Sequence, residues 1–165
     1  MPIRQRISAP YAGAVLAVIA LAVGVAVVVS NQEGTPSSQV EAEDARGQRW
    51  RIQLAAAPDD ATVGATIELE LSITNLSEGL QTISFSTNRQ IELLVRDEDG
   101  KVVWRSEEPS ASVTVSRSPG PGQPIVYQRA WATTSAARGR YTVEGSILAR
   151  ELEGRGETAT SVVLR

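Results

Sequence analysis

The chain has no cysteine and no histidine among its 165 residues, and Lys101 and Phe85 are its single lysine and phenylalanine. Without cysteine there is no disulfide, no thiolate nucleophile, no thiolate-bound zinc and no lipid attached through sulfur. Without histidine the usual general base near neutral pH is missing, and with both absent most transition-metal sites lose their ordinary ligands. Lys101 could serve a serine–lysine pair, but it follows a turn glycine, where a solvated ammonium is the common role. Nucleophilic and acid–base chemistry need a tuned side chain, so the composition argues against an enzyme and implies no cofactor. Positive charge is also short: a formal net charge of -3 leaves no basic face to neutralise phosphates, which argues against a nucleic-acid partner.

What is present begins with an uncharged run, YAGAVLAVIALAVGVAVVVS at residues 11–30. A helix of about 20 apolar residues crosses a bilayer core, so the run predicts a transmembrane signal anchor. Arg4 and Arg6 precede it and the acidic NQEGTPSSQVEAEDA follows. The positive-inside tendency then leaves residues 1–10 in the cytoplasm and sends the rest outside the cell membrane. The alternative is secretion after cleavage behind Ser30, with Val28 and Ser30 small enough for the cut, although the run exceeds the roughly 7–15 residues of a usual signal core. Residues 31–46, rich in Ser, Gly, Pro, Gln and acids, predict a flexible, disordered linker with too little apolar surface to offset the entropy of ordering.

Residues 47–165 carry a different pattern. In TIELELSITN, Ile67, Leu69, Leu71 and Ile73 alternate with Glu68, Glu70, Ser72 and Thr74, the period of a half-buried strand. Further β-rich runs occur at WRIQL, QTISF, QIELLV, KVVWR, SVTVS, PIVYQRAW, RYTVEGSIL and TSVVL, separated by turn clusters such as NLSEG, DEDG, SPGPGQP and ARGR. Many short strands with no helix between them predict an all-β, immunoglobulin-like antiparallel sandwich. Gly139 and Tyr141, opening RYTVEG, fit a tyrosine corner, in which a buried ring sends its hydroxyl back to the main chain.

The acids in VRDEDGKVVWR (Val95–Arg105) admit two readings. As a hairpin, a two-residue turn at Asp99-Gly100 sets Glu98 against Lys101 and Val95 against Trp104, keeping Val95, Val102 and Trp104 on one face. A four-residue turn at Asp97–Gly100 also preserves the faces, whereas a three-residue turn sets Arg96 against Val102 and mixes them. As a calcium site, Asp97, Glu98 and Asp99 lack the alternating ligands and later glutamate of a calcium loop. The hairpin is the expectation, and no metal site is assigned.

Taken in order, the strand ending in Asn75, FSTNRQIE at Phe85–Glu92, DEDGKVVW at Asp97–Trp104, the Pro-Gly loop before PIVYQRAW, and the closing GRYTVEG resemble the BsuPI domain, named for an intracellular proteinase inhibitor of Bacillus. The likeness runs from Thr66 to Leu148. It implies an immunoglobulin-like sandwich with an inhibitory or other protein-binding role, and it supplies no catalytic residue. The segment after Trp104 departs from the family by being short and acidic, and the predicted location differs from that of an intracellular namesake. The expected function is that of a membrane-anchored, extracytoplasmic, non-catalytic protein-binding module with an unidentified protein partner. The alternatives are an inhibitor of an extracytoplasmic serine protease and a passive structural module of the envelope.

A substrate-like inhibitor needs a rigid exposed loop. RSEEPSAS and RSPGPGQP are the candidates, with Arg105 and Arg117 as the residues suited to a trypsin-like pocket, and neither loop can be cross-linked. Trp50, Trp104 and Tyr141 share parity with apolar strand neighbours and read as core; Tyr127 and Trp131 lie on the same side as Arg129. Asn75-Leu76-Ser77 matches a glycosylation sequon, but the NLSEG turn accounts for it.

Overall fold

Alternation becomes burial. In Thr66–Asn75 the residues Ile67, Leu69, Leu71 and Ile73 are buried and the acids between them exposed, because successive side chains of a strand point to opposite faces. The computed structural model describes residues 26–29, 37–108 and 110–165. Its strands are β1 (Ala26–Val29), β2 (Ser37–Glu43), β3 (Arg49–Ala57), β4 (Asp60–Ala61), β5 (Thr66–Asn75), β6 (Ile83–Phe85), β7 (Ile91–Arg96), β8 (Val102–Arg105), β9 (Val115–Arg117), β10 (Pro124–Ala132), β11 (Gly139–Ile147) and β12 (Glu157–Leu164). They form two open five-stranded sheets, ordered β1-β2-β3-β5-β10 and β4-β12-β11-β7-β8, and a two-stranded ribbon of β6 and β9.

The two sheets bury one core between them, the sandwich that the alternation predicts. One side contributes Trp50, Ile52 and Leu54 of β3 with the inward row of β5, and the other contributes Ile91, Leu93, Val95, Val143 and Val162. At the edge of this core Tyr141 stacks edge-on against Trp131, with ring centroids 5.2 Å apart. The Tyr141 hydroxyl donates to the Ala137 carbonyl at 2.7 Å. That bond is the predicted tyrosine corner. Trp50 and Trp131 are buried and Trp104 packs against the core from a half-buried position.

Two expectations for the amino-terminal third need correction. The disordered linker over 31–46 does not extend through residues 37–46: Ser37–Glu43 is β2, seven residues in antiparallel register with β3, Val40 opposite Ile52 and Ala42 opposite Trp50. Its composition is polar, but Ser38, Val40 and Ala42 fall on the inward parity and are buried, while β3 satisfies its backbone. Pairing with a distant strand supplies what local composition lacks. Asp44 then turns the chain, its Oδ1 accepting from the amides of Arg46 at 2.8 Å and Gln48 at 3.0 Å. The helix expected over residues 11–30 does not reach its far end either, since Ala26–Val29 is a strand against β2. The rest of that expected span, and residues 1–10, lie outside the described residues. Among the described residues no helix is long and apolar enough to cross a membrane.

The hairpin between β7 and β8 is neither of the two expected turns. The amide of Asp97 donates to the carbonyl of Lys101 and that of Gly100 to the carbonyl of Asp97, both at 3.0 Å, which closes a three-residue loop. Arg96 therefore sits opposite Val102, the pairing expected to mix the faces. A bulge one step later restores Val95 opposite Trp104, with Val103 as the extra residue. One irregularity cancels the other. Asp97 Oδ1 accepts from the amides of Asp99 at 3.1 Å and Lys101 at 2.9 Å, and Glu98 Oε1 accepts from the amide of Arg140 at 3.1 Å. These acids hold the bend and fasten it to the start of β11.

Gly100 has φ +77° and open space where a side chain would lie, so its role is conformational. Gly100→Ala is expected to lower stability by about 1 kcal/mol, the cost of a left-handed backbone for an L-residue. Gly100→Asn should cost less. Urea denaturation of the two variants checks the order; equal midpoints would contradict it.

Candidate functional site

Both candidate arginines end strands, and both reach the chain entering β7. Arg105 lies opposite Leu94 at the end of β8, and its Nη1 pairs with Glu92 at 3.1 Å. Glu92 also pairs with Arg89, so Arg105 is one arm of a three-residue ion cluster. The segment behind it is tied as well. Ala111 and Asn88 exchange two bonds, of 2.7 and 3.2 Å, and Glu108 pairs with Arg129. Arg129 occupies the inward row of edge strand β10, a charge placement that discourages unwanted strand pairing. RSEEPSAS is thus tied down at Arg105, Glu108 and Ala111.

Arg117 is held more lightly. It lies opposite Ile83 at the end of β9, is exposed, and its Nε donates to Gln90 Oε1 at the long distance of 3.4 Å. The same oxygen accepts from the Tyr127 hydroxyl at 2.8 Å. Burial pushes the Tyr127 phenol up to about 12, with the Arg117 guanidinium pulling the other way and the Glu108 carboxylate reinforcing the rise. The phenol is therefore a neutral donor at ordinary pH, and Gln90 joins β9 to β10.

The loop that follows Arg117 is exposed at Ser118 and from Pro121 to Pro124, while Pro119 is buried. Its shape is fixed from below by Asn75, the last residue of β5, which is fully buried. Asn75 Nδ2 donates to the carbonyls of Gly79 at 2.8 Å and Pro119 at 3.0 Å. Its Oδ1 accepts from the Ser77 amide at 2.8 Å, and its own carbonyl accepts from the Gly122 amide at 2.8 Å. Four bonds from one residue join the NLSEG turn to the Pro-Gly loop. Gln123 adds a fifth inside the loop, its Oε1 accepting from the Gly120 amide at 3.0 Å. The missing disulfide is replaced by a buried amide.

From the sequence Asn75 reads as a strand-end marker of the BsuPI resemblance and as a turn residue at a chance sequon, with no partner named. The signal that could have found it is parity, because Asn75 continues the inward series of Ile67 to Ile73. A polar side chain on a buried face must be bonded, and an asparagine has two donors and an acceptor to place.

The profile described as BsuPI, intracellular proteinase inhibitor, matches residues 54–152, more than half of the chain. The chain belongs to the BsuPI family. The match starts earlier and ends later than the Thr66–Leu148 resemblance, yet β2, the start of β3 and β12 lie outside it although they complete this BsuPI sandwich. Among solved structures the chain is similar to the CARDB domain of a Pyrococcus furiosus protein in complex with di-metal ions, with 19% identity, coverage of 67% of this chain and 87% of that one, and a TM-score of 0.41. It is also similar to a β-glucosidase from Listeria innocua in complex with glucose, at 10% identity and TM-score 0.44, covering 71% of this chain but 16% of that one. A β-glucosidase from Erythrobacter marinus is similar at 11% identity and TM-score 0.41, covering 67% of this chain and 14% of that one. No curated protein matches the sequence.

Proposed function

We propose that this BsuPI-family domain is a non-catalytic protein-binding module whose partner is a serine protease, engaged through Arg117 and the loop to Pro124. The observation that carries the reading is the grip of buried Asn75 on an exposed loop whose first residue is a lightly held arginine. A segment already ordered before binding avoids an entropy cost of about 0.5–1.5 kcal/mol for each immobilised side chain. An arginine free to leave Gln90 suits a pocket with an acid at its base. Arg105 is the weaker choice because leaving Glu92 would expose a carboxylate paired on two sides.

The expected result is slowed turnover of a peptide substrate by a trypsin-like protease in the presence of the full-length chain. Arg117→Ala should weaken that inhibition about a hundredfold, the size of a central anchor's loss, while Arg105→Ala changes it less than threefold. If both variants inhibit as well as the parent, the loop assignment fails. If the parent slows no serine protease, the inhibitor reading fails with it.

The charge asymmetry around residues 11–30 supports display of this domain outside the membrane on an amino-terminal anchor, with release after Ser30 as the alternative. Spanning with the whole run requires Ala26–Val29 to leave its four pairs with β2, since the preceding 15 residues at 1.5 Å each fall short of a bilayer core of about 30 Å. Protease accessibility of the domain in intact against lysed cells tests the side; protection in intact cells would place it in the cytoplasm.

A further inference from the structure

We propose that Asn75 is a positioning residue that holds the Ser118 side of the Arg117–Ser118 bond beside the Arg117 side, so that a protease acylated there re-forms the bond instead of releasing the chain. This rests on the inhibitor reading and adds the residue that would make it work. Both sides run along β6 and the residues before it, and Asn75 adds a hold on the far side from β5. On the Arg117 side, β9 is paired with β6 through Ile83–Arg117, Ser84–Ser116 and Phe85–Val115. On the Ser118 side, Ser118 Oγ lies 2.8 Å from Thr82 Oγ1, and the next carbonyl, that of Pro119, accepts from Asn75 Nδ2 at 3.0 Å and from the Gln81 amide at 3.3 Å. Of these holds on the far side, only that of Asn75 comes from a fully buried side chain.

In the acylation step the protease serine oxygen bonds to the Arg117 carbonyl carbon and the C–N bond to Ser118 breaks. The serine proton passes through the protease's base to the Ser118 amine. Hydrolysis of the ester needs that amine to move away and water to enter. An amine held beside the ester instead attacks it, re-forming C–N, breaking the ester C–O bond and returning the proton to the serine. Keeping the leaving group in place makes the return step unimolecular, an advantage that well-oriented reactants gain over diffusing ones. Water gets little opportunity while Pro119 stays bonded to Asn75.

Asn75→Ala removes the side-chain bonds to Gly79, Pro119 and Ser77 and leaves the backbone bond to Gly122. The full-length chain is incubated with trypsin under native conditions, and cut positions are followed by mass spectrometry. Cleavage at Arg117–Ser118 is expected to be at least tenfold faster in Asn75→Ala than in the parent. A core variant on the far sheet, Val162→Ala, examined at a temperature giving the same distance from its folding midpoint, should change that rate less than twofold. Equal acceleration in the control, or none in Asn75→Ala, overturns the assignment. Should Asn75→Ala fail to fold, the parent decides: its Asn75 side-chain amide protons are expected as two distinct, slowly exchanging resonances, and rapid exchange with solvent overturns the assignment. A parent that inhibits no protease while Asn75→Ala is still selectively cut at Arg117 removes the inhibitor reading and leaves the positioning role standing.

Discussion

Replacing Trp50 with alanine is expected to lower stability by about 3–5 kcal/mol, a large part of the roughly 5–15 kcal/mol that holds an ordinary domain together. The indole is fully buried. It stands opposite Ala42 on β2 and Asn75 on β5 in the ladder, so its loss opens a cavity flanked by a small residue on one side and the buried amide on the other. Ala42 cannot expand to fill the space, and Asn75 cannot shift without abandoning its carbonyl partners. The cost should therefore lie toward the upper end of the range. Urea denaturation with an unchanged slope and a lowered midpoint is the expected readout. A loss under 1 kcal/mol would mean that the end of β3 is not core. The same reasoning predicts that a chain trimmed to residues 54–152, the extent of the family match, does not fold. It lacks Val40, Trp50, Ile52, Val162 and Leu164, all buried in the intact sandwich.

Trp50 also marks the boundary of what could be read from sequence. Its strand follows from WRIQL, where parity alone puts Trp50, Ile52 and Leu54 on one face. Its partner β2 does not follow, because SSQVEAE presents only Val40 and Ala42 to the core and its stability comes from pairing with β3, a non-local property. The β7–β8 hairpin shows the same limit at finer scale. Gly100 located the turn and the apolar parity required Val95 to face Trp104, and both hold. The three-residue loop with a compensating bulge was invisible, since two errors of register that cancel leave the same hydrophobic pattern as none.

For the candidate site, sequence supplied the arginines but not what holds them. Arg105 and Arg117 were equivalent as letters, each opening a loop before serine and proline. The difference between them lies in Glu92 of β7 and Gln90 just before it, which reach the two arginines, in Arg129 of β10, which pairs with Glu108 of the Arg105 loop, and in Asn75, which reaches forward to Pro119 across 44 residues. Side-chain bonds at that separation carry no local spacing. The clue that was present, a polar residue on an inward position, says only that partners must exist and leaves them unnamed.

Phe85→Ala should be the other severe substitution, with a loss of about 3–5 kcal/mol, and it bears directly on the loop. Phe85 is fully buried at the end of β6, paired with Val115 and bridged to Ala149. The β6–β9 ribbon has three pairs and, unlike the other strands, no place in either large sheet. A two-stranded ribbon is marginal by itself in water, so this one depends on Ile83 and Phe85 dipping into the core. Removing the ring takes away the larger of those anchors. Arg117, at the other end of β9, then loses the strand that keeps it extended. Amide exchange in the ribbon should accelerate more than in β3 or β5, and trypsin should reach Arg117–Ser118 sooner. Arg117→Ala, by contrast, leaves the ribbon's anchors untouched and should shift the folding midpoint by less than 0.5 kcal/mol, the usual range for a surface change. That contrast separates the support of the loop from its contact residue. If Phe85→Ala speeds exchange equally throughout both sheets, the ribbon is part of one cooperative unit and the loop has no independent foundation; if only β6 and β9 respond, the platform under Arg117 is a local structure that depends on that ring.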